Sequence, residues 1–185
     1  MKKLLLLVMI LSLVASGAMA QKLPAKKAPK GDGSPYISDK LDYTEDFEGA
    51  FPPAGWTQGI TNGANTWVQD FLNPYTGSAS AYIAWQVGIP QDETLEFSWP
   101  VDVGDDLIFA TAGSPVWTSN ANFTVEVNGT EVWNFDLENG GVAAFEWFEV
   151  VVDLAAYEGT TPTFTFRYAG DDGADHYLDA VKIGA

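Results

Sequence analysis

Carboxylates are the reactive groups this chain holds in quantity, and several are closely spaced. Asp171-Asp172-Gly173-Ala174-Asp175 gathers three of them around one glycine. Such a loop either folds back on a cation or forms a solvated Asp-Gly turn, and the spacing admits both. It is not an EF-hand, because the alternating ligand positions and the distant glutamate are missing. Asp179 lies inside the strand-like run Tyr177–Ile183. Aspartate is disfavoured in strands, so Asp179 either faces solvent on an outer face or is buried against a partner such as a metal. A third acidic group, with Glu45, Asp46 and Glu48, closes the first strand-like run.

Other chemistries are narrowed by what is scarce. With one histidine, His176, and no cysteine, a Cys–His nucleophile and a multi-histidine metal centre are excluded. No Gly-x-Ser-x-Gly elbow is present. A carboxylate pair for glycoside hydrolysis stays open in a chain with 25 acidic residues, so an unrecognised glycoside hydrolase is retained as an alternative.

Aromatic side chains supply a second possible chemistry. Of the seven tryptophans, Trp56, Trp67, Trp85, Trp99, Trp133 and Trp147 read as core. Trp117 differs, because Ser114-Pro115-Val116-Trp117-Thr118-Ser119-Asn120 is polar and loop-like. Tyr75, in Leu72-Asn73-Pro74-Tyr75-Thr76-Gly77, has a similar setting. A ring exposed beside carboxamides and carboxylates suits a sugar; the competing reading is a ring that caps one end of the fold. His176 beside Tyr177 is read the same two ways, as a satisfied polar residue or as a lining residue of a ligand site.

These residues must be positioned by strands. From Tyr43 onward, short runs rich in Val, Ile, Thr, Phe, Tyr and Trp recur between Gly, Pro, Asn and Asp. They predict strands near 43–48, 66–70, 80–86, 94–99, 106–111, 123–127, 131–135, 147–152, 163–168 and 177–183. Asn128-Gly129 supplies the positive φ angles of a two-residue hairpin turn. No amphipathic helix is evident, and Val142–Phe145 makes one turn at most. About ten strands in one domain need two packed sheets, which predicts an all-β, antiparallel β-sandwich of jelly-roll type.

Residues 1–20 read as a signal peptide: Lys2 and Lys3, the apolar run Leu4–Val14, then Ala18-Met19-Ala20. That run is too short for a membrane span. Residues 21–41, rich in Lys and Pro, read as a flexible linker, and 42–185 as the folded domain. Of the 25 acidic residues, all but Asp32 and Asp39 lie in the domain, against Arg167 and Lys182, for a net charge of −21 there. Such a field repels nucleic acid and anionic lipid and attracts divalent cations, although acidity also serves solubility alone.

The opening Glu45-Asp46-Phe47-Glu48-Gly49-Ala50-Phe51-Pro52-Pro53-Ala54-Gly55-Trp56 and the closing Leu178-Asp179-Ala180-Val181 resemble the cleaved-adhesin and choice-of-anchor J modules of secreted bacterial proteins. These are jelly rolls of the galactose-binding-like kind. The resemblance implies adjacent first and last strands and a structural Ca²⁺ shared by Glu48 and Asp179, with Asp46 beside them. Asp172 and Asp175 are the second candidate ligand set. It further implies an exported, non-catalytic, adhesin-like module that recognises carbohydrate or a surface protein. The alternative is an acidic matrix component that self-assembles with Ca²⁺. Related modules often carry an aromatic where this chain has His176 and a second Asp where it has Ala180.

Overall fold

The computed structural model describes residues 42–118 and 120–185. The expected signal peptide and linker lie outside the described residues. Eleven strands follow one another: β1 (Tyr43–Glu45), β2 (Thr57–Gly59), β3 (Val68–Asp70), β4 (Ser80–Ile83), β5 (Gln91–Ser98), β6 (Asp106–Ala112), β7 (Ala121–Val127), β8 (Thr130–Asn134), β9 (Phe148–Asp153), β10 (Thr163–Gly170) and β11 (His176–Gly184). One four-residue helix, α1 (Phe135–Glu138), is capped by the Asn134 side chain, which accepts from the Asp136 N–H.

The strands form the two antiparallel sheets expected from the sequence. One runs β3-β4-β11-β6-β9, with β1 also on β11; the other runs β2-β5-β10-β7-β8. First and last strands are neighbours: Tyr43, Thr44 and Glu45 pair with Ile183, Lys182 and Val181. Alternation sets the core. Leu95 and Phe97 on β5, Phe123, Val125 and Val127 on β7, and Phe164 and Phe166 on β10 all face inward and are buried. Trp56, Phe97 and Phe166 stack with ring centroids 4.5 and 5.8 Å from Trp56. The Asn128-Gly129 turn joins β7 to β8 with φ of +52° and +75°, as the dipeptide predicts.

Two departures matter. β2 was not foreseen: Thr57-Gln58-Gly59 has no apolar alternation, and it is held by pairing with Thr94–Glu96 of β5. In β11 the apolar residues Leu178, Val181 and Ile183 are not evenly spaced. A β-bulge between Asp179 and Lys182, with Ala180 at φ +50°, lets both halves of the strand face the core.

Candidate functional site

The acidic residues of the first and last strands meet over one loop. Asp179 points to the outer face, yet it is fully buried because residues 73–79 lie across it. Its Oδ2 accepts the N–H of Tyr75 at 2.9 Å and of Thr76 at 3.0 Å, and its Oδ1 accepts that of Ala180 at 2.6 Å. Glu48 grips the same loop, with Oε1 accepting from Ser78 at 2.5 Å and Ala79 at 2.8 Å. Asp46 accepts the Glu48 N–H at 3.2 Å and lies beside Glu45, Glu149 and Lys182. Burial pushes the Asp179 carboxyl upward against three N–H bonds that lower it, and the Glu48 charge adds to the rise. Glu45 is raised as well, first by burial and then by the nearby charges of Asp46 and Asp179.

Asp172 and Asp175 are not part of this cluster. Among the described residues no three acidic or histidine side chains converge as a metal-holding group. Within their loop Asp171 accepts from Gly88 at 2.7 Å and Asp175 from Trp85 at 3.3 Å. Asp172 and Asp175 instead line a cavity of about 270 Å³ with Trp85, Trp117 and Phe145. A second cavity of about 570 Å³ adjoins it, lined by Leu72, Asn73, Trp147 and Tyr177, and it shares Phe145 and Asp175 with the first.

Loops at one end of the sandwich set this groove. Trp117 sits in a tight turn, with Asn120 donating to its carbonyl at 3.0 Å, and it is 50% exposed. Trp85 leaves β4 43% exposed; its carbonyl takes a 3.1 Å bond from the Asn65 amide. The loop carrying Asn65 is anchored by the buried Glu93, whose Oε1 accepts the N–H groups of Thr61 and Asn62 at 2.9 and 2.5 Å. Phe145 is 49% exposed, is tied by its N–H to the Gly113 carbonyl at 2.8 Å, and holds φ +61°. Asp172 is likewise left-handed at φ +56°. Bulky residues avoid that region, and where it persists it clusters at ligand clamps and switches. Tyr75 extends the aromatic run, with centroids 5.6 Å from Trp147, which lies 6.0 Å from Tyr177.

Of the three residues expected at a ligand site, Trp117 lines the groove and Tyr75 lies beside it. His176 does not, and its reading is corrected. The ring is 4% exposed, 4.6 Å from the centroids of both Phe123 and Phe135, with Nε2 unpaired. Gly113 leaves room for it, since a Cβ there would stand 2.3 Å from the imidazole. Burial pushes the imidazole down to about 3, so it stays neutral in the core. Trp85 and Trp147 were missed as groove residues because an aromatic in a strand-like run reads most simply as core, and Phe145 was not singled out. The Asn139-Gly140-Gly141 turn ahead of Phe145 was the available signal.

No protein-family model matches the sequence, and comparison with curated proteins finds no relative. Solved structures share the fold. The K1 cleaved adhesin domain of Lys-gingipain from Porphyromonas gingivalis W83 superposes with a TM-score of 0.60 at 18% identity, over 79% of this chain and 99% of that one. The K3 cleaved adhesin domain from the same organism gives 0.59 at 19%, over 77% and 97%. TmCBM61, solved in complex with β-1,4-galactotriose, gives 0.51 at 14%, over 71% and 88%. The resemblance carried by the two ends of the domain thus extends to the fold between them. Among the described residues no helix is long and apolar enough to cross a membrane.

Proposed function

We propose that this is an exported, non-catalytic binding module that takes carbohydrate in the groove between Trp117 and Trp147. The observation that carries the reading is the grouping of half-exposed Trp85, Trp117 and Phe145 around one recess that also holds Asp172 and Asp175. Ring faces pack on the C–H face of a sugar while carboxylates accept its hydroxyls, and the two adjoining cavities give the length for more than one ring. The fold shared with a galactotriose-bound module supports the same reading.

The second part of the proposal is a structural Ca²⁺ beside Glu48 and Asp179. The donor set fits such an ion: Ca²⁺ accepts carboxylate, main-chain carbonyl and water oxygens in loose geometry. The loop N–H bonds engage Oε1 of Glu48 and not Oε2, and Asp179 Oδ1 carries a single N–H bond. When bound, the ion would neutralise a cluster in which burial, and then neighbouring charges, raise the carboxyls of Glu45 and Asp179. Glu48 and Asp179 meanwhile fix the 73–79 loop that carries Tyr75.

The test is retention of the full chain on a glycan array with Ca²⁺ present, followed by calorimetry with Trp117→Ala. The variant should bind at least about tenfold more weakly, ~1.4 kcal/mol, as for a central aromatic contact. Unchanged binding by the variant refutes the groove. Binding to surface proteins alone, or Ca²⁺-driven self-association without glycan retention, reassigns the module to its alternatives.

A further inference from the structure

We propose, resting on the reading of the groove as a glycan site, that it selects sugars bearing free amines, with Asp175 serving two adjoining sugar subsites and Phe145 standing between them. Asp175 and Phe145 each line both cavities, so wall and acceptor repeat along the groove as rings repeat along a glycan. Asp172 adds a second carboxylate to the first cavity, and neither cavity is lined by Lys or Arg. The two cations of the domain are elsewhere. Arg167 is held by Asp92 at 2.6 and 2.8 Å and by Glu126 at 3.2 Å, and Lys182 lies beside Glu45 and Asp46.

Asp175 accepts the Trp85 N–H at 3.3 Å and is hydrogen-bonded by the Tyr82 hydroxyl, which leaves part of a carboxylate's roughly four acceptor sites open to a ligand. Its charge is felt nearby: after burial, it is the next cause that raises the phenols of Tyr82 and Tyr177. An ammonium in the recess would meet these carboxylates and the faces of exposed rings, which attract cations through their quadrupoles. A hydroxyl gains less there, and a uronic or sialic carboxylate is repelled. The left-handed backbone at both Asp172 and Phe145 holds two walls of the first cavity in place before any ligand arrives.

The experiment is calorimetry of the full chain, in Ca²⁺, with β-1,4-linked glucosamine oligomers and with N-acetylated oligomers of equal length. Titrations are run below and above the pH at which the sugar amine loses its proton, at low and physiological salt. The amine form should bind at least about tenfold tighter, ~1.4 kcal/mol, with the preference shrinking at higher pH and higher salt. Asp175→Asn, which keeps an acceptor for Trp85, should bring the preference toward one. Asp172→Asn should lower it as well, since asparagine tolerates the left-handed backbone; tryptophan-fluorescence melts verify folding of both. Equal binding of the two oligomers overturns amine selection and leaves the glycan reading standing. Binding of neither overturns amine selection, while the glycan reading falls only if the glycan array also shows no retention; Asp175-dependent binding of polylysine alone transfers the groove to a cationic protein partner.

Discussion

His176 sets a definite acid sensitivity. The perturbation is His176→Leu, which replaces a buried titrating ring with an apolar side chain among Phe123, Phe135 and Tyr168. The folded imidazole is pushed down to about 3 from an ordinary 6.5, so the unfolded chain takes up a proton that the folded chain refuses. Stability linked to this group is fully present above 6.5 and is lost as pH falls toward 3. At about pH 5 the loss is ~2 kcal/mol, and it is nearly the same for any folded value of about 4 or below. The assay is urea unfolding by tryptophan fluorescence from about pH 7.5 to about pH 5, read as wild type minus variant. The difference matters because Asp179 and Glu45, whose carboxyls are raised, act with the opposite sign. Their contribution falls as pH rises, and it cancels in the subtraction. A flat difference curve refutes the burial of the neutral ring.

Three further outcomes are expected. At position 145, glycine should be more stable than alanine by about 0.5–1 kcal/mol in thermal melts, since alanine retains the left-handed penalty of ~1–2 kcal/mol and glycine's entropy offsets only part of it; a more stable alanine variant contradicts the φ of +61°. Asp179→Ala should lose about 3 kcal/mol or more in urea, because three backbone N–H groups lose their acceptor, each worth ~1–3 kcal/mol, while Asp179→Asn should lose less. In ~2 mM Ca²⁺ relative to EDTA the wild type should gain roughly 2.7 kcal/mol at about 100-fold saturation, a shift of several degrees absent from Asp179→Asn. No shift in the wild type sinks the calcium proposal.

Local rules made the fold legible. The Asn128-Gly129 turn, the alternation of Phe123, Val125 and Val127, and the jelly-roll ends each rest on a few neighbouring residues. What could not be read depends on distant partners. Gln58 belongs to a strand because β5 lies beside it, not because of its own neighbours. Asp179 is buried by a loop about a hundred residues earlier in the chain, so its outer-face position and its burial are both true. Trp85 and Trp147 resemble Trp67 and Trp133 in sequence, yet the first pair borders the groove and the second pair is core. His176 failed in the other direction: polarity suggested a site, and the space left by Gly113 drew it inside.

The bulge at Ala180 also divides one side of the closing strand between two partners. Residues 176–178 pair with β4, and residues 181–183 pair with β1. The handover falls on the residue where the ladder is interrupted. In hydrogen exchange, β11 should therefore behave as two blocks. Amides of Tyr43–Glu45 should open together with those of Val181–Ile183, while those of Ala81–Ile83 follow His176–Leu178. The N-terminal strand can then fray as one clasp, leaving Asp179, the loop it caps and the aromatic groove still folded.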